Sequence, residues 1–203
     1  SDIHGREKVI PWVNRRAEEH DVDGIIVLGD ITHFGPPDWA EKFLRGMNRK
    51  VYALPGNCDP PDVLPFIQKL AVSLHKAKVK VGPFTFVGIG GSNPTIFDTP
   101  FELSEKEILD SLWPLMERGA VMICHAPPFG YNDVPLSGQH VGSESLRMLV
   151  DQYHPKAVLS GHIHEARGMM EDGGTLFMNP GPAKDGYAAL LSLGERFEGE
   201  LLY

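Results

Sequence analysis

The stretch Ala157-Val158-Leu159-Ser160-Gly161-His162-Ile163-His164 decides how the rest of the chain is read. A short apolar run of this kind has the character of a buried strand, and the glycine behind it lets the backbone turn sharply. Two imidazoles then stand one residue apart at the strand end. Histidine is the commonest ligand of intermediate divalent metals, and an extended His-x-His can send both rings into one cleft or offer them to two neighbouring ions. Surface loops also carry histidine pairs, so the reading turns on whether partners exist elsewhere.

Such partners exist, in a definite order. Asp2 and His4 open the chain, Gly29-Asp30 ends the apolar run Ile25-Ile26-Val27-Leu28, Gly56-Asn57 ends Val51-Tyr52-Ala53-Leu54-Pro55, and His125 ends Val121-Met122-Ile123-Cys124. Nearly every candidate ligand follows the C-terminal end of an apolar strand, where α/β sheets build their sites. The ordered set Asp-x-His, Gly-Asp, Gly-Asn-x-Asp, His and Gly-His-x-His resembles the signature of the calcineurin-like metallophosphoesterases, particularly their small archaeal and bacterial phosphodiesterase branch. The match spans almost the whole chain.

The resemblance implies an α/β fold, a four-layer α-β-β-α sandwich of two mixed sheets. Strands that alternate with helices early and cluster late agree with helices on the outer faces of two sheets. It also implies that Asp2, His4, Asp30 and His164 hold one divalent transition-metal ion and that Asp30, Asn57, His125 and His162 hold a second, with Asp30 as the bridge. Oxygen and nitrogen donors without thiolate suit manganese, iron, zinc, cobalt or nickel alike. Two-metal hydrolases hold their ions about 3.5–4 Å apart and acidify a shared water. The implied reaction is in-line attack of hydroxide on a small phosphorylated substrate, a phosphodiester or nucleotide-like ester, with no covalent enzyme intermediate; Asp30, Asn57 and His125 are its candidate catalytic residues. The same fold serves some relatives as a protein-interaction scaffold. A catalytically weak scaffold is therefore the second reading, disfavoured by the nearly full ligand set.

One position departs from the commoner pattern. Many relatives carry histidine after the asparagine, and this chain has Cys58. A thiol is a poorer acid-base group near neutral pH. His33, in the loop after Asp30, and His140, in the long loop Ala126–Gly142, are the residues placed to contact substrate or to compensate.

With 203 residues, 42% hydrophobic and 23% charged, the chain fits one globular domain over 1–203. Its net charge of −8 argues against bulk nucleic-acid binding, which needs a clustered basic surface. It leaves a small phosphorylated substrate open, because bound cations make a cleft locally positive. No apolar run reaches the length of a bilayer and no signal-peptide pattern precedes the first motif, so a cytoplasmic protein is expected. Cys58 and Cys124, each beside a candidate ligand, read as reduced thiols rather than a disulfide.

Local patterning predicts a helix over Gly5–His20 interrupted by Pro11, a helix Trp39–Met47 capped by Asp38, and a capping box Ser104-x-x-Glu107 opening a helix through Glu117. Lys76, Lys78 and Lys80 recur at strand period as one solvated face, and residues 93–100 read as a surface loop. Asp172-Gly173-Gly174 predicts a hairpin turn, with closing strands over Tyr187–Leu193 and Phe197–Leu202. Asp2 lacks the apolar strand that would anchor it, so a leading strand is expected to be missing ahead of Ser1.

Overall fold

The computed structural model describes residues 1–203. The first half runs α1 (Val9–Glu19), β1 (Gly24–Leu28), α2 (Asp38–Arg45), β2 (Lys50–Leu54), α3 (Leu64–Leu70), β3 (Val72–Ser73), β4 (Ala77–Val81) and β5 (Phe84–Ile89). The second half continues with α4 (Glu105–Leu112), β6 (Val121–Cys124), α5 (Glu144–Tyr153), β7 (Ala157–Leu159), β8 (Gly168–Asp172), β9 (Thr175–Asn179), β10 (Ala188–Ser192) and β11 (Glu198–Leu202). Strands β1-β2-β3 form a parallel sheet, and β4-β5-β6-β7-β9-β8 form a mixed sheet with antiparallel outer pairs. An antiparallel β10-β11 hairpin completes the strands.

The period-two alternation of side chains sorts the apolar residues into three cores, and the three cores define four layers. Met122, Cys124, Val158 and Phe177 face α4 and α5, where they meet Ile108, Leu112, Leu146 and Leu149. Their neighbours Val121, Ile123, Ala157, Leu159, Leu176 and Met178 turn the other way and meet Leu28, Tyr52 and Leu54 from the smaller sheet. The opposite face of that sheet, Val27, Val51 and Ala53, packs under Val9, Phe43 and Ile67 of α1, α2 and α3. The result is the α-β-β-α sandwich. Its smaller sheet is wholly parallel, and the β10-β11 hairpin supplies Ala189 and Leu191 beside it as partly buried cover for the central core.

Several boundaries differ from the sequence expectation for local reasons. α1 starts at Val9, which puts Pro11 in the first turn where its missing N–H breaks no helical bond. Asp38 is the first residue of α2 and makes no capping bond; it contributes only negative charge at the positive end of the helix. α4 stops at Leu112, five residues before Glu117, because Pro114 cannot donate and its ring clashes one turn back. The Ser104–Glu107 capping box forms in both directions, and the β8-β9 turn uses Gly173 and Gly174 at φ 57° and 83°. Lys76, Lys78 and Lys80 are exposed, with Lys78 Nζ 2.6 Å from Glu117. Both cysteines are free thiols. No helix is long and apolar enough to cross a membrane.

The edge of β1 away from β2 carries no strand. A cavity of about 610 Å³, lined mainly by apolar groups including Ile25, Val27, Ala189, Leu191 and Leu202, lies between β1 and β10. Ser1 lines part of this cavity. An extended apolar segment of about five residues fused ahead of Ser1 is expected to pair with β1 and fill the slot. It would bury several side chains at roughly 1.5–3 kcal/mol each, against about 1–2 kcal/mol of ordering per residue. A net gain of about 2 kcal/mol corresponds to a rise in Tm of about 4–8 °C in a chain of this size, measurable by thermal denaturation; an unchanged Tm would show that the slot does not accept a strand.

Candidate metal centre

Parallel strands bring their C-terminal ends to one side of each sheet, and here those ends converge. Asp30 follows β1, Asn57 follows β2, His125 follows β6, and His162 and His164 follow β7. Asp2 and His4 hang beside the exit of β1 on backbone bonds from Asp2 N to Gly29 O, from Ile3 N and His4 N to Asp30 O, and from Gly5 N to Ile31 O, all 2.9–3.1 Å. The turns are tight. Asp2, His4, Asp30 and His162 all have positive φ, between 47° and 66°, a conformation that L-residues hold only where surrounding structure enforces it. Gly56 crosses so close to Asp30 that a Cβ there would collide with both its carboxylate and its backbone nitrogen.

Asp30 is the middle of the cluster. Its Oδ2 lies 3.6 Å from His4 Nε2, and its Oδ1 lies 3.4 Å from His125 Nε2. On the first side, Asp2 Oδ1 is 3.1 Å from His164 Nε2 and 3.9 Å from His4 Nε2. On the second, Asn57 Oδ1 is 2.8 Å from His125 Nε2, and the His162 ring centroid is 5.1 Å from that of His125. Asp2, Asp30, Asn57 and His125 are buried, whereas His164 is partly open to solvent. All seven residues singled out from the sequence as candidate ligands therefore lie in one cluster.

Proton placement shows that the cluster fits divalent cations. His125 Nδ1 donates to the Leu28 carbonyl at 2.6 Å, so in the neutral ring Nε2 carries a lone pair and confronts the lone pairs of Asn57 Oδ1. His4 Nε2 is buried without any hydrogen-bond partner, while His4 Nδ1 meets His33 Nδ1 at 3.2 Å. Buried lone pairs that face each other without a hydrogen are stabilised by a cation between them.

The charge states agree. Burial lowers His4 to about 4 and His162 to about 3, so both rings are neutral donors near pH 7. Burial, reinforced by the charges of Asp2 and Asp59, raises Asp30 to about 7. Burial alone would raise Asp2 as well, but the His164 hydrogen bond and the histidine charges hold it below the ordinary carboxylate range. The same bond raises His164.

The acid-base candidates separate. Cys58 donates its backbone N–H to Asp30 Oδ1 at 2.8 Å, and burial followed by the Asp30 charge pushes its thiol pKa up, so sulfur stays protonated. His33 is exposed at the rim, edge-on to His4 and packed against Phe34. His140 is not brought to the cluster by any hydrogen bond: Asp133 holds its Nδ1 at 2.6 Å and also accepts from Gly130 and Gly142, closing the long loop on itself. Thr99 and Glu102 were not marked by the sequence reading. They sit in and just after the loop expected to be a plain surface excursion, yet Thr99 Oγ1 accepts from Asn57 Nδ2 at 3.0 Å. Nothing in their spacing signals this contact.

Comparison with known proteins places the chain in a family. The family described as calcineurin-like phosphoesterase matches residues 1–166. The chain belongs to that family. An uncharacterised protein of Methanocaldococcus jannaschii, MJ1162, is 34% identical over 191 residues, covering 90% of this chain and 86% of its own. The human metallophosphoesterase domain-containing protein 1 is 33% identical over 111 residues, 53% of this chain and 34% of that protein. Among solved structures, TT1561 of Thermus thermophilus shares the fold at a TM-score of 0.73 and 16% identity, covering 98% of this chain and 95% of that one. A dimetal phosphatase from Danio rerio does so at 0.63 and 12%, covering 96% and 85%. Family and fold together support a metal-dependent phosphoesterase, with candidate metal-ligand groups at Asp2, His4 and His164 and at Asp2, Asp30 and His125.

Because Asp30 is raised to about 7 and His164 is raised as well, metal binding to this calcineurin-like chain must displace protons at lower pH. The ligand forms are the deprotonated ones, so affinity should climb by roughly tenfold per pH unit for each proton displaced below pH 7, and less steeply once Asp30 has lost its proton. Calorimetric titration with Mn²⁺ from pH 5.5 to 8.5 measures this; an affinity independent of pH below 7 would contradict the assigned states.

Proposed function

We propose that the chain hydrolyses a phosphodiester or nucleotide-like phosphate ester, with Asp2, His4, Asp30 and His164 around one divalent ion and Asp30, Asn57, His125 and His162 around a second. The observation that carries this reading is the two-sided carboxylate of Asp30, one oxygen toward His4 and the other toward His125. Bound divalent ions supply an acidified water and positive charge for the phosphoryl oxygens.

The chain's own residues account for the remainder. The Cys58 N–H bond to Oδ1 and the enforced backbone of Asp30 orient the carboxylate. The neutral rings of His4 and His162 can each turn a lone pair to a cation, and the Leu28 carbonyl, which takes His125 Nδ1–H, leaves Nε2 of that ring facing the site. Cys58 is assigned no nucleophilic role, since burial, the Asp30 charge and a hydrogen bond to the Asp30 side chain hold its thiol protonated. His4 Nδ1–H donating to His33 Nδ1 leaves the second His33 nitrogen at the rim, where it meets solvent or a departing oxygen. Phe34, exposed beside His33, offers an aromatic face to a base or aryl leaving group. A fold neighbour described as an archaeal phosphodiesterase, with a TM-score of 0.58 and 15% identity, supports the diester preference.

A panel of phosphomonoesters, linear diesters and cyclic nucleotides, each with Mn²⁺, Zn²⁺, Co²⁺ or Ni²⁺, tests the proposal. Diester turnover that disappears with chelator is expected; a protein that binds no metal, or that acts only on monoesters, would overturn it. Asp30→Asn should lower kcat/KM by about 10³-fold or more and His33→Ala by no more than about 10²-fold, because the first affects both ions and the second removes local acid-base help. Equal losses in folded variants would move the bridge elsewhere.

Weak acid assistance from Cys58 makes turnover depend steeply on leaving-group acidity, so aryl diesters should outrun alkyl ones. Cys58→His should raise alkyl turnover selectively, by about tenfold, while Cys58→Ser leaves the profile unchanged. A leaving-group series on all three proteins decides: a flat wild-type profile would assign the proton to another residue, and an inactive serine variant would give sulfur a direct role.

A further inference from the structure

Asn57 differs from the other oxygen-donating candidate ligands, Asp2 and Asp30, in having a wrong way round. A carboxylate is symmetric, but an amide offers either an oxygen that binds a cation or an NH₂ that repels one. Something must hold the oxygen inward.

The surrounding hydrogen bonds fix the choice. The Glu102 carboxylate accepts from Thr95 N, Thr95 Oγ1, Thr99 N and Thr99 Oγ1, at 3.1, 2.6, 2.9 and 2.6 Å. The Thr99 hydroxyl has a single hydrogen, and the contact with an acceptor-only carboxylate uses it. Toward Asn57, 3.0 Å away, Thr99 Oγ1 can therefore only accept, and what it accepts is an Asn57 N–H. That places Asn57 Oδ1 against His125 Nε2. The flipped amide would set its oxygen against the Thr99 lone pairs. A backbone bond from Phe101 N to Asn57 O at 3.0 Å seats the same loop on the end of β2, so Thr99 is delivered at fixed height. Thr99 is buried.

We infer that Thr99, locked by Glu102, is the positioning residue that sets the Asn57 amide with its oxygen toward the cation site shared with His125 and His162. This rests on the reading of Asn57 as a ligand. It gives the loop Thr95–Glu102 a task in metal selection that neither its sequence nor the family signature marks. The tip of that loop, Ile96 and Phe97, stays exposed while its base holds the metal ligand.

The test is a double-mutant cycle read by calorimetric titration of the whole protein with Mn²⁺. Thr99→Val keeps shape but loses the acceptor, and should weaken one of two sites by about 10- to 100-fold while leaving the other within about threefold. Thr99→Ser should restore wild-type affinity. In an Asn57→Asp background the amide problem vanishes, since both carboxylate oxygens accept, so adding Thr99→Val should then cost less than about threefold. Equal losses in the two backgrounds would make Thr99 a general prop and overturn the inference, as would undiminished affinity in Thr99→Val. If Thr99→Val does not fold, Glu102→Ala, which frees the hydroxyl hydrogen, should reproduce the single-site loss; full affinity there refutes the relay. A wild-type protein that binds no Mn²⁺ would instead refute the metal-centre reading itself.

Discussion

The carboxylate of Asp59 is what lets two strand ends share one site. Completely buried, it accepts from Gly56 N at 2.8 Å, Thr32 N at 2.7 Å, Thr32 Oγ1 at 2.8 Å and Ile31 N at 3.1 Å. These donors come from the loops after β1 and β2, the loops that carry Asp30 and Asn57. An unpaired carboxylate in such a place would be strongly destabilising, so the two loops must remain where their N–H groups can meet it. Asp59 makes no hydrogen bond to any of the candidate ligands, yet it holds together the two loops from which Asp30 and Asn57 face each other.

Much of the arrangement could be read directly from residue order. Gly29-Asp30, Gly56-Asn57, His125 and His162-x-His164 each terminate an apolar run, and a parallel strand has only one end at which such residues can gather. The layers were legible for a similar reason: the runs around Val27, Val51, Ile123 and Val158 are apolar on both faces, which requires cover on both sides. Helix ends were less legible. Pro114 stops α4 where the apolar periodicity continues, and Asp38 lies inside α2 although its side chain has the chemistry of a cap.

What sequence order could not show is contact between loops. His140 and His33 looked equivalent as histidines in strand-end loops, but Asp133 claims one and His4 the other. The choice depends on the path of 17 residues of irregular backbone between His125 and Ser143, and no periodic pattern encodes it. Thr99 is the same problem with the opposite sign: a residue type common in surface turns becomes, by loop packing alone, a partner of Asn57.

The contact between Asp2 and His164 joins residues 162 positions apart. Almost the entire chain is thus a single ring closed at the centre, and a bound ion would act there as a reversible cross-link. The entropy of closing a ring grows only with the logarithm of its length, each doubling costing about 0.6 kcal/mol. Material inserted into the surface loops between strands therefore burdens the closure very little. What the ring must conserve is the order in which strands deliver their ends, not the amount of chain between them, so the architecture can enlarge around an unchanged centre.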